Sequence, residues 1–145
     1  MKTIGKILDR EIYYEVYDTS INWIMDLPKE NWCLVIIAEE ENRMNFDEII
    51  KKAIDRNVGY IHSVGKQHDL IHDLADETIA TREVENLYLP HHMIITAGDE
   101  DFEEGIWFGT YVTYNEETPI NQVVILDVTK KAYENIANLI KRFEL

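Results

Sequence analysis

The chain has one cysteine, three prolines, six glycines and half as many bases as acids, and each scarcity removes a class of explanation. With Cys33 alone, no internal disulfide and no thiolate metal cluster can form. Cys33 lies inside the apolar run WCLVIIA, the setting of a small buried hydrophobe rather than a reactive thiol. No apolar run approaches the roughly 18–20 residues that span a bilayer. The opening MKTIGKILDREIYY is broken by charges every few residues, so it has no signal-peptide core and the expected compartment is the cytoplasm. Phosphate-binding glycine patterns are missing as well. Where a dinucleotide fold needs G-x-G-x-x-G, the chain reads AEEENRMN, and its three glutamates would repel a pyrophosphate. Gly65-Lys66 lacks the other glycine and the hydroxyl of a P-loop, and Ser63 lacks the G-x-S-x-G setting of a nucleophile elbow.

What is present is acid. Twenty-eight Asp and Glu against fourteen Lys and Arg leave a net charge of −14. From Lys66 to Thr118 there are thirteen acids and two bases, so that segment alone carries −11. Such a surface repels nucleic-acid phosphates and anionic lipid, and it attracts basic proteins and divalent cations. The plainer reading is that it serves solubility.

The length and the 46% hydrophobic content suit one globular domain. Residues 1–31 read as an N-terminal arm or edge element: Ile12, Tyr14 and Val16 alternate as in an edge strand, and a short helical turn is expected around Ile21 to Met25. From Trp32 the pattern is regular. Cys33–Ala38 reads as a strand covered on both faces. Asn45 then caps a helix with Glu48 in a capping-box position, and Gly59 follows its end as a C-cap. Tyr60–Val64 is a strand ended by Gly65, and a helix runs from about His68 to Thr81. Met93–Ala97 is a strand stopped by Gly98, and a helix runs from about Asp101 to Tyr111. Val123–Leu126 is a strand, and Lys130–Phe143 is the last helix. Four alternations of strand and helix predict an α/β fold over 32–145: a three-layer α/β/α sandwich on a mostly parallel sheet, Rossmann-like or flavodoxin-like.

Two clusters could carry chemistry. On the helix from His68, the side chains of His68, His72 and Asp76 stack on one face with Asp69 and Asp73 beside them, a row that could ligate zinc or another divalent metal. The competing reading is the solvated face of an amphipathic helix. The run Asp99, Glu100, Asp101, Glu103, Glu104 offers oxygen ligands for Ca²⁺ or Mg²⁺. Its spacing fails the EF-hand, because glycine comes one place late at Gly105 and the twelfth position is Thr110. As a helix start, the acids are stabilising by themselves. No resident cofactor is expected.

Several segments resemble an uncharacterised family of small bacterial Rossmann-like domains, over about Trp32 to Lys131. YIHSVGKQHDLIHDLADE corresponds to the family's strand–glycine–polar helix start through His72-Asp73 and Asp76. MIITAGDEDFEEGIWF is similar at Thr96, Glu104, Trp107 and Phe108, with Ala97-Gly98 where the family has Trp-His. VVILDVT resembles a third, apolar segment. The resemblance implies the fold and no activity.

The functional expectation is an acidic cytoplasmic protein-binding domain of the immunity or antitoxin kind, neutralising a basic toxin. Its contacts would be made through Asp99, Glu100, Asp101, Glu103, Glu104, Asp69 and Asp73, with no nucleic-acid or membrane partner. The rival is a small metal-dependent hydrolase or nucleotide-processing enzyme built on His68, His72 and Asp76. A homodimer formed through a helix face is a third possibility.

Overall fold

The computed structural model describes residues 1–20 and 22–144. Six strands form one sheet: β1 (Lys2–Ile7), β2 (Arg10–Val16), β3 (Trp32–Ile37), β4 (Tyr60–Val64), β5 (Ile95–Asp99) and β6 (Gln122–Asp127). Their order across the sheet is β1-β2-β6-β3-β4-β5. Only β1 runs against its neighbour; β2, β6, β3, β4 and β5 pair in parallel. The helices are α1 (Arg43–Asp55), α2 (His68–Val84), α3 (Phe102–Trp107) and α4 (Tyr133–Phe143). The fold is therefore α/β on a mostly parallel sheet.

Strand β3 sits near the middle of the sheet, and all six of its residues are buried, as an unbroken apolar run predicts. Its alternate side chains enter two separate clusters. Trp32, Leu34 and Ile36 join Phe46, Ile49 and Ile50 of α1 and Ile71 and Leu74 of α2. Cys33, Val35 and Ile37 join Ile106 of α3 and Ile136 and Ile140 of α4. Each fully buried Ile, Leu or Phe contributes roughly 1.5–3 kcal/mol relative to an exposed one, so these two clusters hold the element arrangement.

The arm proves to be part of the sheet. The alternation of Ile12 and Tyr14 belongs to β2, which is not an edge strand: it lies between β1 and β6. A short 3-10 turn, Trp23–Asp26, overlaps the expected helical turn, whose Ile21 falls outside the described residues.

Three boundaries move for physical reasons. Helix α1 is capped by Asn42, whose side chain accepts from the Asn45 backbone N–H, so Asn45 lies inside the helix. Beyond its C-terminal end the left-handed residue is Asn57, at φ 61°, in the place expected of Gly59. Strand β5 begins later and passes through Gly98, because Met93 is tied to the far loop: its carbonyl accepts from Asn115 and its N–H donates to Glu117.

Candidate functional site

Because five strands point the same way, their carboxyl ends share one edge: Val16, Asp127, Ile37, Val64 and Asp99. In parallel α/β sheets the loops on that edge bind ligands, most often where neighbouring strands send their connections opposite ways. Here that happens between β4 and β5, which lead into α2 and α3 on opposite faces, and again between β3 and β6, since β3 leads into α1 in one hydrophobic cluster and β6 leads into α4 in the other. A cavity of 230 Å³ lies at the second of these places, lined by Glu39, Glu40, Glu41, Asn42, Thr129 and Lys131 among others. Three glutamates make it a poor place for phosphate.

Asp127 builds the floor of this edge. It is fully buried, and it accepts from the Tyr14 hydroxyl at 2.7 Å, from the backbone N–H groups of Thr129, Lys130 and Ala132, and from the Thr129 hydroxyl. Those bonds hold residues 128–132 as a turn, with Lys130 at φ 67°, and so α4 starts at Tyr133 rather than at Lys130. Burial and the neighbouring carboxylate raise the Tyr14 phenol above its ordinary value.

The acidic run divides among three duties. Asp99 is the last residue of β5, and its carboxylate lies 2.9 Å from Nε2 of His62 on β4. Asp101 caps α3, accepting from the Glu104 N–H at 2.8 Å. Glu103 pairs with Arg142 of α4. Glu100 and Glu104 are exposed with no hydrogen-bond or ion-pair partner for their carboxylates among the described residues.

Below these acids the exposed side of α3 carries aromatic rings. Trp107 is 44% exposed and Tyr111 38% exposed, and the two rings stack with centroids 6.2 Å apart. A groove of 380 Å³ between α3 and α4 is lined by Asp101, Glu103, Glu104, Trp107 and Phe143. The opposite side of the helix explains why these rings face outward. A Cβ on Gly105 would lie 2.6 Å from Val64, and one on Gly109 would lie 2.5 Å from Val35, so those two positions press directly on β4 and β3. The helix widens into a π-helical turn, Phe108–Val112, on the way.

The row on α2 does not converge. His68 approaches Asp69, at 3.5 Å, and His72 lies 3.7 Å from both Asp73 and Asp76. Asp76 accepts from the Thr96 hydroxyl of β5 at 2.6 Å. Among the described residues no group of three or more His, Cys, Asp or Glu side chains is placed to hold a metal ion. This face is only partly solvated: His68 lies against Gly98 of β5 and His72 is half-buried, while Asp76, Asp69 and Asp73 are exposed. Asp69 and Asp73 therefore stand apart from the acids of α3, on the other side of the sheet.

Two buried groups escape a reading by pattern. His62 is 1% exposed, stacks on Phe108 with centroids 4.9 Å apart, and leaves Nδ1 without a hydrogen-bond partner. Burial lowers its pKa from the ordinary 6.5, against the opposing pull of Asp99. Arg10 is 9% exposed and has no carboxylate within ion-pair distance among the described residues. Its guanidinium donates instead to the carbonyls of Thr110 and Thr113 and to the Thr113 hydroxyl, at the carboxyl end of the π-helical turn. A cation there is favoured by the helix dipole, and burial lowers its pKa. For His62 a signal existed, a histidine inside the apolar strand YIHSV. For Arg10 there was none, because its partners lie about a hundred residues away.

Searches of curated proteins and of solved structures return no match. A family model does match over residues 13–143, a span that takes in the last four residues of β2 and the whole of the chain from β3 to α4. The chain belongs to that family, described as a domain of unknown function, DUF7684.

Proposed function

We propose that the chain is an acidic binding domain that docks a basic protein surface onto the exposed side of α3 and the Glu100–Asp101 loop above it. The observation that carries this reading is Trp107, half-exposed, stacked on Tyr111 and rimmed by Asp101, Glu103 and Glu104. Exposed Trp and Tyr are the side chains that most often anchor protein interfaces. A lysine or arginine laid over such a ring gains roughly 0.5–2 kcal/mol. The surrounding carboxylates speed the approach of a basic partner and reject acidic ones. Within this reading the partner is a basic toxin, and the chain acts in the cytoplasm as an immunity or antitoxin-like protein; the charge complementarity supports that choice. The architecture is read as a three-layer, Rossmann-like α/β/α sandwich, supported by the two clusters that flank β3.

Glu100 and Glu104 are the acids to reverse, because Asp101 caps a helix and Glu103 is paired. Affinity capture from the cells that encode the chain should recover a basic protein. It should be released as salt rises from about 50 to about 500 mM, through screening, and lost in Glu100→Lys/Glu104→Lys. Trp107→Ala should weaken the recovered complex about thirtyfold, the effect of removing a hot-spot residue worth about 2 kcal/mol. Capture of the same proteins by the parent and by both variants would overturn the reading.

A further inference from the structure

The two edges of the sheet are treated differently. Strand β1 carries Lys2 and Lys6 and breaks register between Thr3 and Gly5, the charges and bulge that keep an edge from pairing with another chain. Strand β5, ITAGD, has no lysine, no proline and no register break, and every one of its residues is partly exposed. Its hydrogen bonding leaves the outer backbone groups of two of its five residues free. The Ile95 N–H donates to the Gly59 carbonyl and the Asp99 carbonyl accepts from Gly65, which fixes the parallel ladder with β4. In such a ladder alternate residues turn both backbone groups to the same side. Ile95, Ala97 and Asp99 therefore bond β4, and the N–H and C=O groups of Thr96 and Gly98 point away from the sheet.

The flanks of this edge differ in chemistry. On the α2 side, Glu77 and Thr81 line the groove toward α1, so the opposite side of the helix faces β5. Asp76, bonded to Thr96, marks that side, and Glu83, seven residues on, shares it. On the α3 side, Gly105 faces the sheet and Phe108 stacks on His62 of β4, the strand next to β5, while Ile95 and Ala97 of β5 itself join the apolar cluster on this face.

We infer that the outer edge of β5 accepts an extended segment of a basic protein, added as a seventh strand. The segment alternates basic and apolar side chains. Its bases lie against Asp76 and Glu83, and its apolar side chains lie beside Ile95, Ala97 and Phe108. The backbone groups of Thr96 and Gly98 supply the main-chain bonds, and the acidic flank on one face with the apolar flank on the other supplies selectivity. A second copy of this chain is disfavoured as the occupant, because two acidic edges would meet. This inference rests on the basic-partner reading and specifies how that partner is held.

The probe is a capped heptapeptide of alternating lysine and valine, titrated into the ¹⁵N-labelled full chain at low salt. Amide exchange at Thr96 and Gly98 should slow at least tenfold on binding, while Ile95 and Ala97, already bonded, change little. Thr96→Val removes only the hydroxyl bonded to Asp76 and serves as the control; Thr96→Pro removes the outward N–H as well, without touching the ladder to β4, and should bind at least tenfold more weakly than Thr96→Val. Should Thr96→Pro unfold, the same peptide N-methylated along its backbone tests the point from the other side, and it should fail to bind. Failure of the plain peptide to bind overturns the strand proposal. So does binding that is indifferent to Thr96→Pro and to N-methylation, with no added protection at Thr96 and Gly98. The broader reading is judged separately, by the Glu100→Lys/Glu104→Lys capture.

Discussion

Asp127 and His62 show two ways of burying a polar side chain beside the same sheet edge. Asp127 is surrounded by donors from a turn and a tyrosine and leaves nothing unsatisfied, so its burial organises the loop that follows. His62 has a carboxylate on one nitrogen and no partner on the other. Its pKa is lowered chiefly by burial, so the folded state holds fewer protons than the unfolded chain as pH falls through 6.5. Stability from this group is accordingly complete above 6.5, declines as pH drops below it, and stops declining once the folded histidine is itself protonated. Thermal unfolding between pH 7.5 and 5 should show a midpoint that falls with pH in the parent and falls less steeply in His62→Phe. Parallel curves for the two proteins would show that His62 is not the titrating group. In the sequence Asp127 looked like the mere end of VVILD, because a carboxylate that caps a turn and one that is solvated read the same in one dimension.

At the scale of elements, the sheet was legible and its margins were not. Strand β3 is an unbroken apolar run and β6 holds one between Gln122 and Asp127, while β4 is buried throughout even though His62 and Ser63 interrupt its apolar residues; all three lie where the sequence pattern puts them. Strand β1, KTIGKI, carries two lysines and a glycine, and it forms because Ile7 and its neighbours in β2 and α4 bury a shared face; that stabilisation is tertiary and leaves no local pattern. The packing of α3 left no sign in the sequence either: Gly105, notable there only as out of place for a calcium loop, is a packing contact on Val64, and Gly109 presses on Val35. Gly109→Ala tests the seam. Alanine gains about 1 kcal/mol in helix propensity, but a Cβ placed 2.5 Å from Val35 costs about 1–3 kcal/mol of overpacking. The crowding should win, lowering stability by up to about 2 kcal/mol in urea unfolding, and Val35→Ala in the same chain should make the added methyl much less costly. An unchanged or raised midpoint in Gly109→Ala alone would show that the helix can lift off the sheet without loss.

For the whole molecule, charge and direction of chain combine. Parallel strands bring Glu39, Glu40, Glu41, Glu100 and Asp101 to one edge of the sheet, and α3 carries the acid downward onto an exposed aromatic face. The acid count was plain in the sequence. Its division was not, because capping, pairing with Arg142 and pairing with His62 each take one carboxylate out of the run and leave Glu100 and Glu104 unengaged among the described residues. Trp107 was unreadable as an anchor for a related reason: its exposure depends on which side of α3 the glycines turn to the sheet. It is also the one tryptophan open to solvent, since Trp23 and Trp32 are buried at 2% and 0%. Collisional quenching of tryptophan emission therefore reports the field at the proposed docking face. Relative to a neutral tryptophan amide, the account predicts that caesium ions quench the chain more strongly than iodide, and that the difference disappears in Trp107→Phe. Equal quenching by the two ions, or stronger quenching by iodide, would contradict it.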